Sequence, residues 1–106
     1  MQATGINVLS MEVDSSRGFS CDGENYFAVK TYEGIYVYKN ACPHLGIPLE
    51  WQEDKFLDDS NTLIQCANHG ALFKIEDGYC VAGPCSGKKL TTVTFEIRDD
   101  EIFLTR

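Results

Sequence analysis

Two short segments of the chain each combine a cysteine with a histidine. One residue separates Cys42 from His44, two residues separate Cys66 from His69, and 21 residues lie between His44 and Cys66. Thiolate and imidazole are the side chains best suited to soft or borderline metal ions. The chain contains only two histidines, and both belong to this pattern. We therefore predict a metal or cofactor site formed by these four residues.

The residues around both pairs are typical of loops. Pro43, Gly46 and Pro48 surround the first pair, and Gly70 follows the second. Proline fixes the backbone and glycine frees it, so a loop of this composition can turn a cysteine and a histidine toward one point. Such loops need a rigid scaffold to hold them.

The rest of the sequence predicts that scaffold to be all-β. No window of 12 or more residues has a convincing helical period, and the best one, around Met11, is weak. Strand signals recur with turn residues between them, such as Glu33-Gly34 and Asp77-Gly78. We expect hairpins of residues 26–30 with 35–39, 71–76 with 79–81 and 91–97 with 101–105, and a short strand at 62–66. About seven short strands predict a small antiparallel sandwich or barrel.

The cysteine and histidine spacing resembles the Rieske iron–sulfur family, whose signature is C-x-H followed by C-x2-H on two loops. The resemblance continues through Gly70, Phe73, Asp77-Gly78 and Gly83-Pro84 to the closing strands, and covers roughly residue 26 to the C-terminus. In that family two histidines replace two cysteines on one iron of a [2Fe–2S] centre. The resemblance implies one cluster per chain, with Cys42 and Cys66 on one iron and His44 and His69 on the other.

The same resemblance implies the arrangement of the chain. We expect a single domain over residues 1–106, a Rieske-like sandwich or barrel with a cluster-binding subdomain at about 41–86. Two ligand loops and a Gly-Pro loop would form that subdomain. The spacer between the ligand pairs is longer than expected for ferredoxins that serve oxygenases, and its polar stretch 51–61 is predicted to be a loop insertion.

The neighbours of the ligands resemble the low-potential, free-standing ferredoxins of this family. High-potential members carry an extra disulfide between the loops and two hydroxyl donors to the cluster sulfurs. Here the matching positions are Ile47, Asn68, Ala71 and Phe73. Missing donors leave the added electron less stabilised, which lowers the reduction potential.

Two alternatives remain open from the residues alone. A Cys₂His₂ set can bind zinc tetrahedrally and staple an interaction module, although C-x-H is unusual for zinc. A small Rieske-like subunit of a larger redox enzyme, such as a nitrite reductase, would carry the same motif. Of the other cysteines, Cys80 is expected to pack in a strand and Cys21 to lie in a polar loop. Cys85, just after Pro84, is expected to lie near the cluster without being a ligand.

Charge and composition limit the partners. The formal net charge is −7, which argues against nucleic acid or an anionic membrane. No basic leader followed by an apolar stretch is evident, so we expect a cytoplasmic protein. We also expect it to be a monomer. The resemblance implies an electron carrier, not an enzyme, that receives electrons from a flavin- or iron–sulfur-containing reductase and passes them to an oxygenase component. The acidic residues between the ligand pairs are predicted to form a collar that attracts a basic partner; they are Glu50, Glu53, Asp54, Asp58 and Asp59.

Overall fold

The computed structural model describes residues 2–41, 49, 54–66, 70–83 and 87–105. Strands form almost all of the regular structure in these residues, with one short 3-10 helix at Val8–Ser10. The strands are β1 (Gln2–Asn7), β2 (Ser15–Cys21), β3 (Glu24–Thr31), β4 (Gly34–Lys39), β5 (Leu63–Gln65), β6 (Leu72–Lys74), β7 (Cys80–Ala82), β8 (Phe95–Arg98) and β9 (Glu101–Leu104). In the part of the chain that the structure describes, no helix is long and apolar enough to cross a membrane.

The strands form three antiparallel sheets of three strands each. The basal sheet has the order β1-β9-β8, the central sheet β2-β3-β4, and the distal sheet β5-β6-β7. Residues 91–94 join two of them. They run along the edge of β4, where Tyr38 and Thr92 are bridge partners, before the chain enters the basal sheet as β8. The all-β antiparallel fold predicted from the turn spacing is confirmed.

Strand β3 separates two hydrophobic cores. Tyr26 and Ala28 face a core shared with the basal sheet, whereas Phe27 and Val29 face a core shared with the distal sheet. Successive side chains of a strand point to opposite faces, so a strand buried on both sides becomes a continuous apolar run. This explains why the segment YFAV lacks the polar residues that a half-exposed strand would show.

The three expected hairpins are present with altered bounds. The 26–30 and 35–39 hairpin extends to the full lengths of β3 and β4, with Val29 paired to Tyr36. In the distal hairpin the first strand is shorter than expected, at Leu72–Lys74, and the second keeps its three residues but begins at Cys80. The last hairpin begins only at Phe95, because residues 91–94 pair with β4 instead.

The sequence reasoning missed β1 and β2, and its placement of Cys21 in a polar loop is wrong. Cys21 ends β2 and is buried, and its thiol donates to Gln2 Oε1 at 3.2 Å. The segment SSRGFSC has few apolar residues because β2 is the outer strand of its sheet. Cys80 packs in the distal core as expected, 1% exposed, and donates to the carbonyl of Ala82.

Residues 54–61, the described part of the predicted loop insertion at 51–61, contain no strand but pack into the distal core. Phe56 is fully buried, and its ring stacks on that of Phe27 with centroids 4.3 Å apart and planes within 5°. Leu57 is a bridge partner of Ile64, and the N–H of Gln65 donates to the Phe56 carbonyl at 2.9 Å. This stretch adds a fourth backbone row beside β5 and contributes an aromatic ring to the distal core.

Candidate metal centre

Cys66 lies at the base of a tight loop between β5 and β6. Its side chain is fully buried in the distal core. The Cys66 N–H donates to the Ala71 carbonyl at 2.8 Å, and the Gly70 N–H donates to the Cys66 carbonyl at 2.9 Å. Gly70 has a φ of 68°, a conformation that glycine adopts without a steric cost. The C-x2-H-G segment is therefore closed at its base by two backbone hydrogen bonds.

The loop that contains Cys42 and His44 is held from both ends. Asn40 continues the pairing of β3 with β4, because its N–H donates to the Asn25 carbonyl at 2.9 Å. The Leu49 N–H donates to the Asn40 side-chain oxygen, also at 2.9 Å. Leu49 itself is fully buried in the distal core, the same core that holds Cys66. The two ends of the loop are thus joined directly and anchored beside the second loop.

Gly83, which begins the Gly-Pro loop, packs directly against the second ligand loop. A Cβ on Gly83 would lie 2.7 Å from Ala71 Cα and 3.1 Å from Ala71 Cβ. Its φ of 97° is also in the region that disfavours other residues. Only glycine both adopts this φ easily and has no Cβ to collide with Ala71. This is a physical reason for a glycine at this position of the motif.

The bases of all three loops therefore meet at one end of the distal core. Ala71 and Phe73, the positions expected to lack hydroxyl donors, are both fully buried in that core with Cys66. Cys80, the register partner of Phe73, adds a thiol to the same core. Cys66 accordingly projects from an apolar region that excludes water.

The remaining predicted ligands lie outside the described residues. These are Cys42, His44 and His69, and the same applies to Ile47, Asn68, Trp51, Pro84 and Cys85. Among the residues that are described, no group of three His, Cys, Asp or Glu side chains is placed to hold a metal ion. The structure thus positions one of the four predicted ligands and the anchor points of the others.

Two carboxylates of the predicted acidic collar, those of Asp54 and Asp58, also bind backbone groups, and the collar itself stays a prediction. The Asp54 carboxylate accepts from the Gly18 N–H at 2.7 Å, and its carbonyl accepts from Ser16 Oγ at 2.7 Å. The Asp58 carboxylate accepts from the N–H groups of Thr62 and Leu63 and so caps the turn before β5. These two carboxylates stabilise local structure, whereas Asp59 is exposed. Glu50 and Glu53 lie outside the described residues.

Sequence reasoning missed Asn40, Leu49 and Asp54 as residues that anchor the site. A signal for Asn40 was present, since an asparagine or aspartate at the start of a loop commonly binds nearby backbone groups. Nothing in the sequence indicates which backbone group that is, because the partner follows nine residues later.

A comparison with protein families shows which family this chain belongs to. The model of the Rieske [2Fe–2S] domain matches residues 6–98. The chain belongs to the Rieske family. Its cofactor is accordingly one [2Fe–2S] cluster, and the resemblance based on the two Cys-His pairs is confirmed. A comparison with curated protein sequences found no match.

Solved structures show the same fold in this Rieske protein and in two kinds of relatives. The ferredoxin of carbazole 1,9a-dioxygenase from Nocardioides aromaticivorans IC177 has a TM-score of 0.75 at 18% identity, covering 99% of this chain and 95% of its own. Sphingomonas yanoikuyae B1 ferredoxin has a TM-score of 0.74 at 20% identity, covering 100% and 97%. The terminal oxygenase of carbazole 1,9a-dioxygenase from Novosphingobium sp. KA1 has a TM-score of 0.75 at 21% identity, covering 93% of this chain but 28% of its own.

The residues of this Rieske chain fit a [2Fe–2S] cluster. The four predicted ligands would supply two thiols and two imidazoles, the combination that distinguishes Rieske centres. Cys66 is fully buried in an apolar core, and Gly83 packs tightly against Ala71 of the same core. A buried thiolate site of this kind limits solvent access, which is one of the factors that set the potential of a cluster.

Proposed function

We propose that this Rieske protein is a one-electron carrier whose cluster is bound by Cys42 and Cys66 on one iron and by His44 and His69 on the other. The observation that carries the proposal is the meeting of three loop bases around the buried Cys66 in a Rieske domain. When bound, the cluster accepts and returns one electron without forming or breaking a substrate bond.

The residues of the chain then have three tasks. Cys66 supplies a thiolate from inside the apolar core, where water is excluded. Asn40 binds the far end of the first ligand loop at Leu49, and Gly83 packs against Ala71 beside the second. The histidine side of the cluster would lie toward solvent, where a partner can approach it. A packed scaffold at the bases of the loops suits electron transfer, because a fixed geometry limits the rearrangement that accompanies reduction.

The proposed partners are a flavin- or iron–sulfur-containing reductase and an oxygenase component. Two of the structural relatives are ferredoxins, one of them the ferredoxin of a dioxygenase, and both are nearly matched in length by this chain. An oxygenase needs in addition a mononuclear iron held by two more histidines and a carboxylate. Both histidines of this chain belong to the Rieske motif, so we assign it no substrate chemistry. We further propose that it acts in the cytoplasm as a monomer.

The experiment is to purify the holoprotein and measure iron, acid-labile sulfide and the EPR spectrum after reduction with dithionite. We expect about two irons and two sulfides per chain and the signal of a Rieske centre. Reoxidation by an added one-electron acceptor, such as cytochrome c, should restore the visible spectrum with a stoichiometry of one electron. A colourless protein that holds one zinc ion would contradict the proposal.

A matched pair of cysteine variants makes the test specific. Cys66→Ser should abolish the cluster, because the ferric site requires thiolate. Cys80→Ser changes a cysteine of the same core, and its hydroxyl can still donate to the Ala82 carbonyl. It should keep the cluster. Stable co-purification with a large catalytic subunit would favour a subunit of an enzyme, such as a nitrite reductase, over a diffusing carrier.

A further inference from the structure

Asn40 is the one side chain among the described residues that joins the two ends of the first ligand loop. It lies two residues before Cys42, and its oxygen accepts from the N–H of Leu49, one residue after Pro48. Both partners are buried, with Asn40 9% exposed and Leu49 fully buried. A hydrogen bond between two groups away from water has no solvent to replace it once it is lost.

The position of Asn40 is itself fixed by the central sheet. Its N–H donates to the Asn25 carbonyl, one residue beyond the last paired residues of β3 and β4. The Ala41 N–H donates to the Lys39 carbonyl at 2.9 Å and turns the chain away from the sheet. Asn40 therefore transmits the rigidity of the sheet to the far end of the loop through a single side chain.

We propose that Asn40 is a positioning residue for the cluster: by holding Leu49 it fixes the span of the loop that contains Cys42 and His44. This inference rests on the proposed ligand set. Without the bond, Leu49 remains in the distal core through its side chain, but the loop ends are no longer held at one distance. The loop then opens more often, and each opening gives a chelator or water access to the iron.

Two measurements on the holoprotein test this proposal. The first is hydrogen exchange at the Leu49 amide, and the second is the rate at which the visible spectrum bleaches in excess chelator. Asn40→Ala removes the acceptor and leaves the Leu49 N–H without its partner, so exchange and bleaching should both become faster, on the order of tenfold. Asn40→Asp keeps an acceptor oxygen at the same place and should restore both rates to within about twofold of the wild type.

Asn25→Ala is the matched control. It makes the same substitution at the residue opposite Asn40, where the side chain is exposed, and preserves the backbone carbonyl that Asn40 uses. It should leave both rates unchanged. If Asn40→Ala does not yield folded protein, the Asn40→Gln variant is measured instead. Glutamine has one more methylene, which moves the side-chain oxygen away from the Leu49 N–H. A Gln variant with wild-type rates at Leu49 would then overturn the proposal.

Other outcomes are equally decisive. Wild-type exchange and bleaching in Asn40→Ala would show that the bond does not hold the loop. Asn40→Asp that behaves like Asn40→Ala would show that the side-chain oxygen is not the acting group. A wild-type protein without a Rieske spectrum would contradict the proposed function instead, and the Leu49 amide would still report whether Asn40 holds the loop.

Discussion

The Cα of Ala71 lies so close to Gly83 that no side chain fits between them. A Cβ at Gly83 would approach it to 2.7 Å, well inside the distance that carbon atoms tolerate. The contact brings Gly83, at the start of the Gly-Pro loop, directly against the backbone of Ala71 beside the second ligand loop. Because backbone cannot move aside as a flexible side chain can, any residue other than glycine must displace one of the two loops.

Gly83→Ala should therefore destabilise the protein by about 2–4 kcal/mol, the sum of a left-handed backbone cost and an overpacking cost. Gly87→Ala is the matched control. Gly87 has a φ of 88°, but a Cβ there would meet nothing within 4 Å. It should show only the backbone cost of about 1–2 kcal/mol. Urea unfolding of both variants gives the difference, and equal losses would contradict the packing argument.

Phe56 should contribute strongly to stability although it lies in a polar stretch. Phe56→Ala is expected to cost about 3–5 kcal/mol, because it leaves a cavity beside the ring of Phe27. Tyr32→Ala, at an aromatic residue that is 86% exposed, should change stability by less than about 0.5 kcal/mol. The two variants are compared by their denaturant midpoints, measured on samples that contain the same amount of cluster per chain. A small effect of Phe56→Ala would mean that residues 54–61 are indeed a dispensable insertion.

Hydroxyl groups added beside Cys66 should raise the reduction potential. Ala71→Ser and Phe73→Tyr each place a donor in the core that contains Cys66. A hydrogen bond that strengthens by about 1 kcal/mol on reduction corresponds to roughly +40 mV for one electron. Ala28→Ser makes the same change at a fully buried alanine of the other core and should leave the potential unchanged. Redox titration followed by visible spectroscopy measures all three, and an equal shift in Ala28→Ser would contradict a local effect.

The pH dependence of stability should reveal the buried Tyr38. Burial raises the pKa of Tyr38 well above its ordinary value, and the nearby Asp77 adds to this effect. Its hydroxyl donates to the Ile75 carbonyl. In the unfolded chain the phenol loses its proton near pH 10. Between pH 10 and the higher pKa of Tyr38 in the folded protein, the folded protein keeps the phenolic proton that the unfolded chain has lost. The free energy of unfolding therefore falls as pH rises.

Tyr38→Phe should remove that part of the decline, which amounts to at most about 1.4 kcal/mol per pH unit. At neutral pH the same variant should lose about 1–2 kcal/mol, because the buried Ile75 carbonyl loses its donor. Tyr32→Phe changes a tyrosine that is exposed and should keep the wild-type profile. Urea unfolding from pH 7 to 11 tests this, and parallel curves for Tyr38→Phe and the wild type would rule out the assignment.

Asp54 should behave as a structural residue and Asp59 as a surface charge. Asp54→Ala removes the acceptor of the Gly18 N–H and should cost about 1–3 kcal/mol. Asp54→Asn keeps an acceptor oxygen and should restore most of that loss. Asp59→Ala, at an exposed position, should be nearly neutral in stability. Thermal unfolding distinguishes them, and a neutral Asp54→Ala would contradict the structural role of the bond to Gly18.

The parts of the fold that were predictable are those with strong local signals. Strand pairs joined by Glu33-Gly34 and Asp77-Gly78 have turn residues and apolar runs that need no knowledge of the rest of the chain. Strand β2 has neither, because an outer strand with few apolar side chains resembles a loop in composition. Phe56 was missed because a single pair of apolar residues between charged ones says nothing about the aromatic ring across the core.

The candidate site divides in the same way. The predicted ligands could be chosen from residue types and spacing alone, and these were sufficient to predict the family. They are Cys42, His44, Cys66 and His69. The anchoring by Asn40 and Asp54 is geometric information. It depends on which backbone N–H the folded chain places opposite each side chain, and that is decided by the whole of the central sheet.

The double burial of β3 has a consequence for cooperativity. If the two cores of a protein shared no strand, its cofactor-binding half could unfold locally while the other half stayed folded. Here Phe27 and Val29 belong to one core, while Tyr26 and Ala28, their neighbours in the chain, belong to the other. Neither core can come apart without disturbing the strand that the other packs against. The loops are therefore carried by a scaffold that melts as one unit, and the free energy of binding the cluster stabilises both halves of the molecule.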